Sequence, residues 1–327
     1  MHAITRRRLT ILTAAASLAP LSAFGQAKKP DLARILVAFP AGGTTDQIAR
    51  LLAEQMKGDL ATTILVENRP GAAGRLAIQA LRQAPADGAT LLIQGLGIQS
   101  LYPHTIKQLG YDPFGDLVPL SIVSPLEFCL AVGPSVPQTV RTLKDYVAWV
   151  RQDPARGSYA TPGAGNPLHF MPLLLARTEK LDLNPVHYRG TTAAMPDLVG
   201  GHIPAVCAPL NDALMFGQGD KVRMLATSGA KRNKFSPQVP TFEEAGYPQL
   251  VYRDHYTVFV NGTTPAAIQD RLGASVRAAL ETPRLLSGLT SLFLEATPST
   301  SAEALRIAHA DYETWGRIVK EVGYQPE

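Results

Sequence analysis

Only two cysteines occur in the 327 residues, Cys129 and Cys207, each inside an apolar, strand-like run. A fold framed by disulfides is therefore excluded. One bridge or two buried free thiols remain, and the apolar surroundings favour the thiols. None of the seven histidines lies four residues from another or beside a cysteine, so the spacing of a metal site is missing. Net charge is scarce as well. Three of the 31 basic residues, Arg6, Arg7 and Arg8, fall in the first 27 positions, which hold no Asp or Glu. The remaining 28 face 27 acidic residues, a balance that gives nucleic acid or a membrane surface nothing to hold.

Catalytic signatures are missing too. There is no Gly-x-Ser-x-Gly elbow and no phosphate-binding Walker loop. Gly95-Leu96-Gly97-Ile98-Gln99-Ser100 half resembles a dinucleotide fingerprint, but Ser100 replaces its third glycine and Pro103 disfavours the required helix. Glu243 and Glu244 are adjacent, so they cannot face each other across a substrate. No cofactor is expected.

The amino terminus has the layout of an export leader. Arg6-Arg7-Arg8 precede an uncharged stretch from Leu9 to about Ala23, and small residues surround Gly25 and Ala27. Roughly 15 residues interrupted by Pro20 fall short of the ~20 that span a bilayer. We therefore read residues 1–27 as a signal peptide cleaved near 25–27, with an uncleaved anchor as the competing reading. The consecutive arginines fit twin-arginine export; the general secretory route stays open.

With 46% hydrophobic residues the rest can bury a sizeable core. Strand patterns at 35–39, 62–66, 90–94, 117–123, 128–132, 186–188, 203–208, 222–227 and 257–260 alternate with helical stretches at 44–57, 73–84, 142–152, 167–178 and 191–199. The last 60 or so residues read as mainly helical, with Pro265 and Pro283 suited to first turns. Alternation of this kind predicts an α/β fold with open sheets flanked by helices, and ~300 residues suggest two lobes.

The most informative segment runs from Leu36 to Arg50. An apolar strand passes Phe39, Pro40 and Ala41 into Gly42-Gly43, and a helix follows at once. Thr44 and Gln47 have the spacing of a capping box, and Ile48, Leu51, Leu52 and Met56 form the apolar stripe. Bare amides at Gly42 and Gly43, beside the positive end of a helix dipole, favour an anion. A plain strand-to-helix turn is the alternative. Asp46 would repel such an anion, so it either braces the loop or meets an amino or hydroxyl group; bracing is favoured.

Several segments together resemble the Bug-type periplasmic receptors of tripartite tricarboxylate transporters. They are Phe39 to Asp46, Val66-Glu67-Asn68-Arg69-Pro70-Gly71-Ala72-Ala73-Gly74, Asp87-Gly88-Ala89-Thr90-Leu91-Leu92, Tyr111-Asp112-Pro113-Phe114, Tyr188-Arg189-Gly190, Asp197-Leu198-Val199-Gly200-Gly201, and Val239 to Gly246. They stand in the family's order over nearly all of the chain beyond residue 33. The resemblance implies a type II, Venus-flytrap fold with a ligand cleft between lobes. Lobe one would comprise residues 28–128 plus 250–327 and lobe two residues 129–249. It also implies a monomeric, non-enzymatic receptor that delivers a small organic acid to a membrane permease.

On this reading lobe one offers Phe39, Ala41, Gly42, Gly43, Thr44, Thr45 and Asp46, with Gly95 and Gly97 at the exit of the third strand. Lobe two offers Thr161, Gly163, Ala164, Gly165 and Asn166, where Asn166 fits an N-cap and Pro167 a first helical position. His169 is either a ligand contact or a packed histidine. Tyr188, Arg189 and Gly190 then lead into a third helix with Thr191 as N-cap and Gly200-Gly201 as its end. Arg189 is either a counter-charge or a surface group. Ala208, where relatives tend to place a polar residue, would make the pocket less polar. Two other functions stay in play: an exported α/β enzyme acting on a small acid, and a receptor serving a sensor kinase.

Overall fold

The computed structural model describes residues 30–217, 221–321 and 323–326. The expected signal peptide lies outside the described residues. Two five-stranded sheets organise the chain. The first has the order β2-β1-β3-β10-β4, from β1 (Leu32–Val37), β2 (Thr63–Asn68), β3 (Thr90–Gly95), β4 (Leu117–Leu126) and β10 (Asp254–Asn261). The second has the order β7-β6-β8-β5-β9, from β5 (Phe128–Val132), β6 (Ser158–Thr161), β7 (Asn184–His187), β8 (Ala205–Pro209) and β9 (Arg223–Thr227). Each sheet joins three parallel strands to an antiparallel pair.

Helices link and cover the sheets: α1 (Thr44–Met56), α2 (Arg75–Gln83), α3 (Gly97–Ser100), α4 (Tyr102–Thr105), α5 (Leu143–Arg151), α6 (Pro167–Glu179), α7 (Thr191–Val199), α8 (Leu210–Phe216), α9 (Ala266–Leu280), α10 (Pro283–Ser291) and α11 (Ser301–Glu321). Both faces of the first sheet are buried. Ile35 and Val37 join one apolar cluster with the α1 stripe of Ile48, Leu52 and Met56, whereas Leu36 and Ala38 join a second. This alternation is the two-residue period of a strand covered on both sides.

The chain leaves the first sheet at Glu127, the single residue between β4 and β5, and returns between β9 and β10. Glu127 ties these crossings together, accepting from Asn233 Nδ2 at 3.0 Å and Arg253 Nη2 at 2.9 Å. Near the carboxyl end of α11, Trp315 packs edge-on against Phe170 of α6, with ring centroids 5.5 Å apart. The C-terminal helix thus touches the layers of both sheets.

Local signals explain most boundaries. Asn166 caps α6, its side chain accepting from the His169 amide at 3.0 Å, and Pro167 opens the helix. Gly200 and Gly201, the latter with φ +76°, end α7. The capping box expected at Thr44 is absent. Gly43 is the N-cap of α1, and Gln47 Nε2 donates instead to the Gly42 carbonyl at 3.1 Å. Thr191 likewise lies inside α7, with Gly190 as cap. A full box does form at Thr142 and Asp145, which open α5. Strand β6 was not legible from the sequence.

Cys129 and Cys207 are buried free thiols on neighbouring strands. Cys129 pairs with Ala208 and Leu130 with Cys207, so the two sulfurs face opposite sides of the sheet and lie in different clusters. No bridge can form without turning a strand over.

Candidate functional site

Parallel strands of both sheets end at a common cleft, where their following loops and helix starts meet. The approach is close. A methyl group built on Gly190 would lie 3.1 Å from the Pro40 ring, and one on Gly43 3.6 Å from the Thr192 methyl. Thr105 Oγ1 donates to the Gly165 carbonyl at 2.6 Å. Thr44 Oγ1 donates to Asp212 Oδ1 and accepts from Asn211 Nδ2, so the start of α1 is bound to the start of α8.

The cleft has two chambers that share Phe39, Pro40, Pro162 and Gly190 as walls. The inner one, about 80 Å³, is lined by expected residues Gly43, Thr44, Thr45, Gly95, Gly97, Asn166 and Thr191. The outer one, about 700 Å³, takes in Gly163, Ala164, Gly165, Tyr188 and Arg189, together with Arg75. Apolar side chains including Ile98, Leu126, Phe128 and Leu168 complete the inner chamber, and none of its lining residues is Lys, Arg or His.

Six expected residues line neither chamber: Ala41, Gly42, Asp46, Thr161, His169 and Ala208. Asp46 is the brace. Its carboxylate accepts from the Gly42 amide at 3.0 Å, Asn68 Nδ2 at 3.0 Å and Arg50 Nε at 2.9 Å. Burial pushes its pKa up, but the Arg50, Gly42 and Asn68 bonds outweigh that and hold it below the usual carboxylate value. His169 is packed, 2% exposed, and its Nδ1 accepts from the Gly165 amide at 3.0 Å. Burial, with His187 nearby, lowers its pKa to about 4, so it is neutral and fixes the second loop. Thr161 Oγ1 reaches the Gly163 carbonyl at 3.3 Å and serves the same loop. Ala208 is fully buried on the far face of its sheet, and Pro209 lines the chamber in its place.

The inner chamber also holds polar residues that sequence reasoning did not select: Gln94, Asp212 and Asp254, beside Thr192, Tyr102 and Tyr256. Gln94 is 2% exposed, and its Nε2 has no hydrogen-bond partner among the described residues. Asp212 restores the polarity that Ala208 and Pro209 removed, one turn later in the chain. Burial raises its pKa against the bonds from Thr44, Thr191 and Asn211. Asp254 accepts from the Gly97 amide at 2.9 Å and the His255 amide at 2.7 Å. Burial nevertheless lifts its pKa to about 7, with Asp311 adding to the rise. Its sequence signal was the Asp-His-Tyr run opening β10.

The tripartite tricarboxylate transporter family receptor profile matches residues 48–324. The chain belongs to that family. A Cupriavidus necator protein described as "UPF0065 protein in gbd 5'region" is 30% identical over 324 residues, 98% of this chain and 97% of its own length. The periplasmic binding protein BugD superposes with a TM-score of 0.82 at 26% identity, covering 90% of this chain and 99% of that one. An R. palustris protein solved with adipate superposes at 0.83 with 27% identity, covering 91% and 99%. The receptor is thus a Bug-type periplasmic solute-binding protein with the α/β binding-protein fold.

Proposed function

We propose that this receptor captures a small carboxylate-bearing solute between two lobes, residues 28–128 plus 250–327 and residues 129–249, after its leader is removed near 25–27. The observation that carries the reading is the meeting of the α1 and α7 starts at one chamber. First-turn amides lack partners within their own helix, and two such turns aimed at one space hold an anion without a cationic side chain. The structural relative solved with adipate supports the same ligand chemistry.

The Thr45 hydroxyl and the amides around Gly43, Gly190 and Thr191 would hold the carboxylate, with Gln94 Nε2 as a further donor. Asp46, His169 and Thr161 position the loops. Arg189, exposed in the outer chamber, meets solute on its way in. A closed monomer would then dock on a membrane permease, and no bond in the solute would change. Closure transmits occupancy only if ligand binds the closed form more tightly than the open one.

A thermal-shift screen over small organic acids tests this. An acid at 100 times its dissociation constant should stabilise the protein by about 2.7 kcal/mol. A panel of mono-, di- and tricarboxylates that leaves the melting temperature unmoved, or turnover of any of them, overturns the reading.

A further inference from the structure

Resting on that carboxylate-capture reading, we infer that the solute also carries a protonated amine, and that Asp254 receives it. The inner chamber holds two carboxyl side chains, Asp212 and Asp254, 7% and 3% exposed, and no cationic side chain. A chamber designed for carboxylates alone would not place two acids in its wall, because each repels the ligand or must stay protonated to admit it.

The two acids differ in their partners. Asp212 is engaged by the side chains of Thr44, Asn211 and Thr191. Among the described residues Asp254 has no side-chain donor. The hydrogen bonds it accepts come from main-chain amides, and the Gly97 and His255 amides both go to Oδ1. Around Oδ2 the wall is cut back to glycine. A methyl group on Gly95 would fall 2.7 Å from it, and one on Gly97 2.9 Å. A buried carboxylate that lacks a counter-ion costs several kcal/mol unless the ion is supplied from outside the fold. The solute is that outside source.

The two ends of the chamber then suit two ends of one molecule. The starts of α1 and α7 take the carboxylate, and Asp254 takes the ammonium from the wall formed by β3, α3 and β10. The apolar side chains between them contact whatever carbon skeleton joins the two groups. An amino acid or a related amino-carboxylate has this layout; adipate does not.

The experiment compares matched pairs by titration calorimetry: glutamate against glutarate, and phenylalanine against phenylpropionate. The aminated member of at least one pair should bind about ten-fold or more tightly than its partner, and Asp254→Asn should remove that preference. A thermal melt of the unliganded variant checks that it folds. The wild-type protein gives an independent answer. Ionised Asp254 holds the amine, so affinity for the aminated member should fall from roughly pH 8 to pH 6, whereas a plain diacid held by protonated Asp254 would show the opposite slope. Asp311, Tyr102, Tyr252, Tyr256 and Asp212 are the other ionisable groups whose charge acts on this corner. The tyrosines are pushed further from titration by burial, which leaves Asp254, Asp311 and Asp212 to set the slope, and Asp254→Asn isolates the first of them. Deaminated members binding as well or better in both pairs, or a preference that survives Asp254→Asn, overturns the inference while carboxylate capture stands. Binding of neither class by any pair, or by any acid of the thermal-shift screen, removes both.

Discussion

Thr44 and Asp212 are hydrogen-bonded to each other although 168 residues separate them, and they sit on helices, α1 and α8, that pack against different sheets. The bond exists only while the start of α1 and the start of α8 stand together. Its strength therefore counts toward the joining of those two helix starts rather than toward either sheet alone. Thr44→Val keeps the shape and removes the donor, leaving a buried acid with one partner fewer. Ligand affinity should fall by about 1–2 kcal/mol, or roughly 5- to 30-fold by calorimetry. An unchanged dissociation constant would show that closure does not depend on this bond.

Asp46 offers the opposite case, since its partners all belong to the first sheet's side of the cleft: Gly42 in the loop, Arg50 on α1 and Asn68 at the end of β2. Asp46→Asn should cost about 1–3 kcal/mol in urea denaturation, because Arg50 and the Gly42 amide lose a charged acceptor. The order in which acids bind should not change. A reordering would place the side chain against the ligand after all.

His169 makes loop order depend on acid. Its folded pKa, about 4, lies below the ordinary 6.5, so the unfolded chain takes up the proton first. The stability tied to the neutral ring is complete above pH 6.5 and is lost as pH falls toward 4. In His169→Gln the amide oxygen can still accept from Gly165, without a titrating group. The melting-temperature advantage of wild type over this variant should shrink steadily from neutral pH to pH 4. A constant gap would mean that the ring is not kept neutral.

Gly95 tests the space beside Asp254. Gly95→Ala puts a methyl 2.7 Å from Oδ2, and the carboxyl cannot retreat without stretching its bonds to the Gly97 and His255 amides. The change should destabilise by about 1–3 kcal/mol in chemical denaturation. A loss within error would show that the Asp254 side chain moves freely, against its role as a fixed receptor of charge.

What the sequence made readable was local. Asn166-Pro167 and Gly200-Gly201 mark helix ends through their own backbone chemistry, and the structure places those ends where expected. Thr44 misled for the same reason: its spacing to Gln47 is that of a cap, but a tertiary acceptor at the start of α8 took its hydroxyl. β6 spans four residues after a Pro-Ala-Arg-Gly turn, too short for alternation to show. The chamber acids were hidden more deeply. Asp254 meets Gly97 only because β10 inserts antiparallel beside β3, joining positions 157 residues apart. Strand pairing at that range leaves no trace in a window of neighbouring residues.

Trp315 gives the molecule an optical gauge. Its indole lies edge-on to Phe170 and to Tyr252, whereas Trp149, the other tryptophan of the chain, sits half-buried on α5 under the Arg156 guanidinium. Any rocking of α6 away from the C-terminal helix would admit solvent dipoles to one indole and leave the other as an internal standard. Emission colour and acrylamide quenching would then follow the motion in real time on the unlabelled protein.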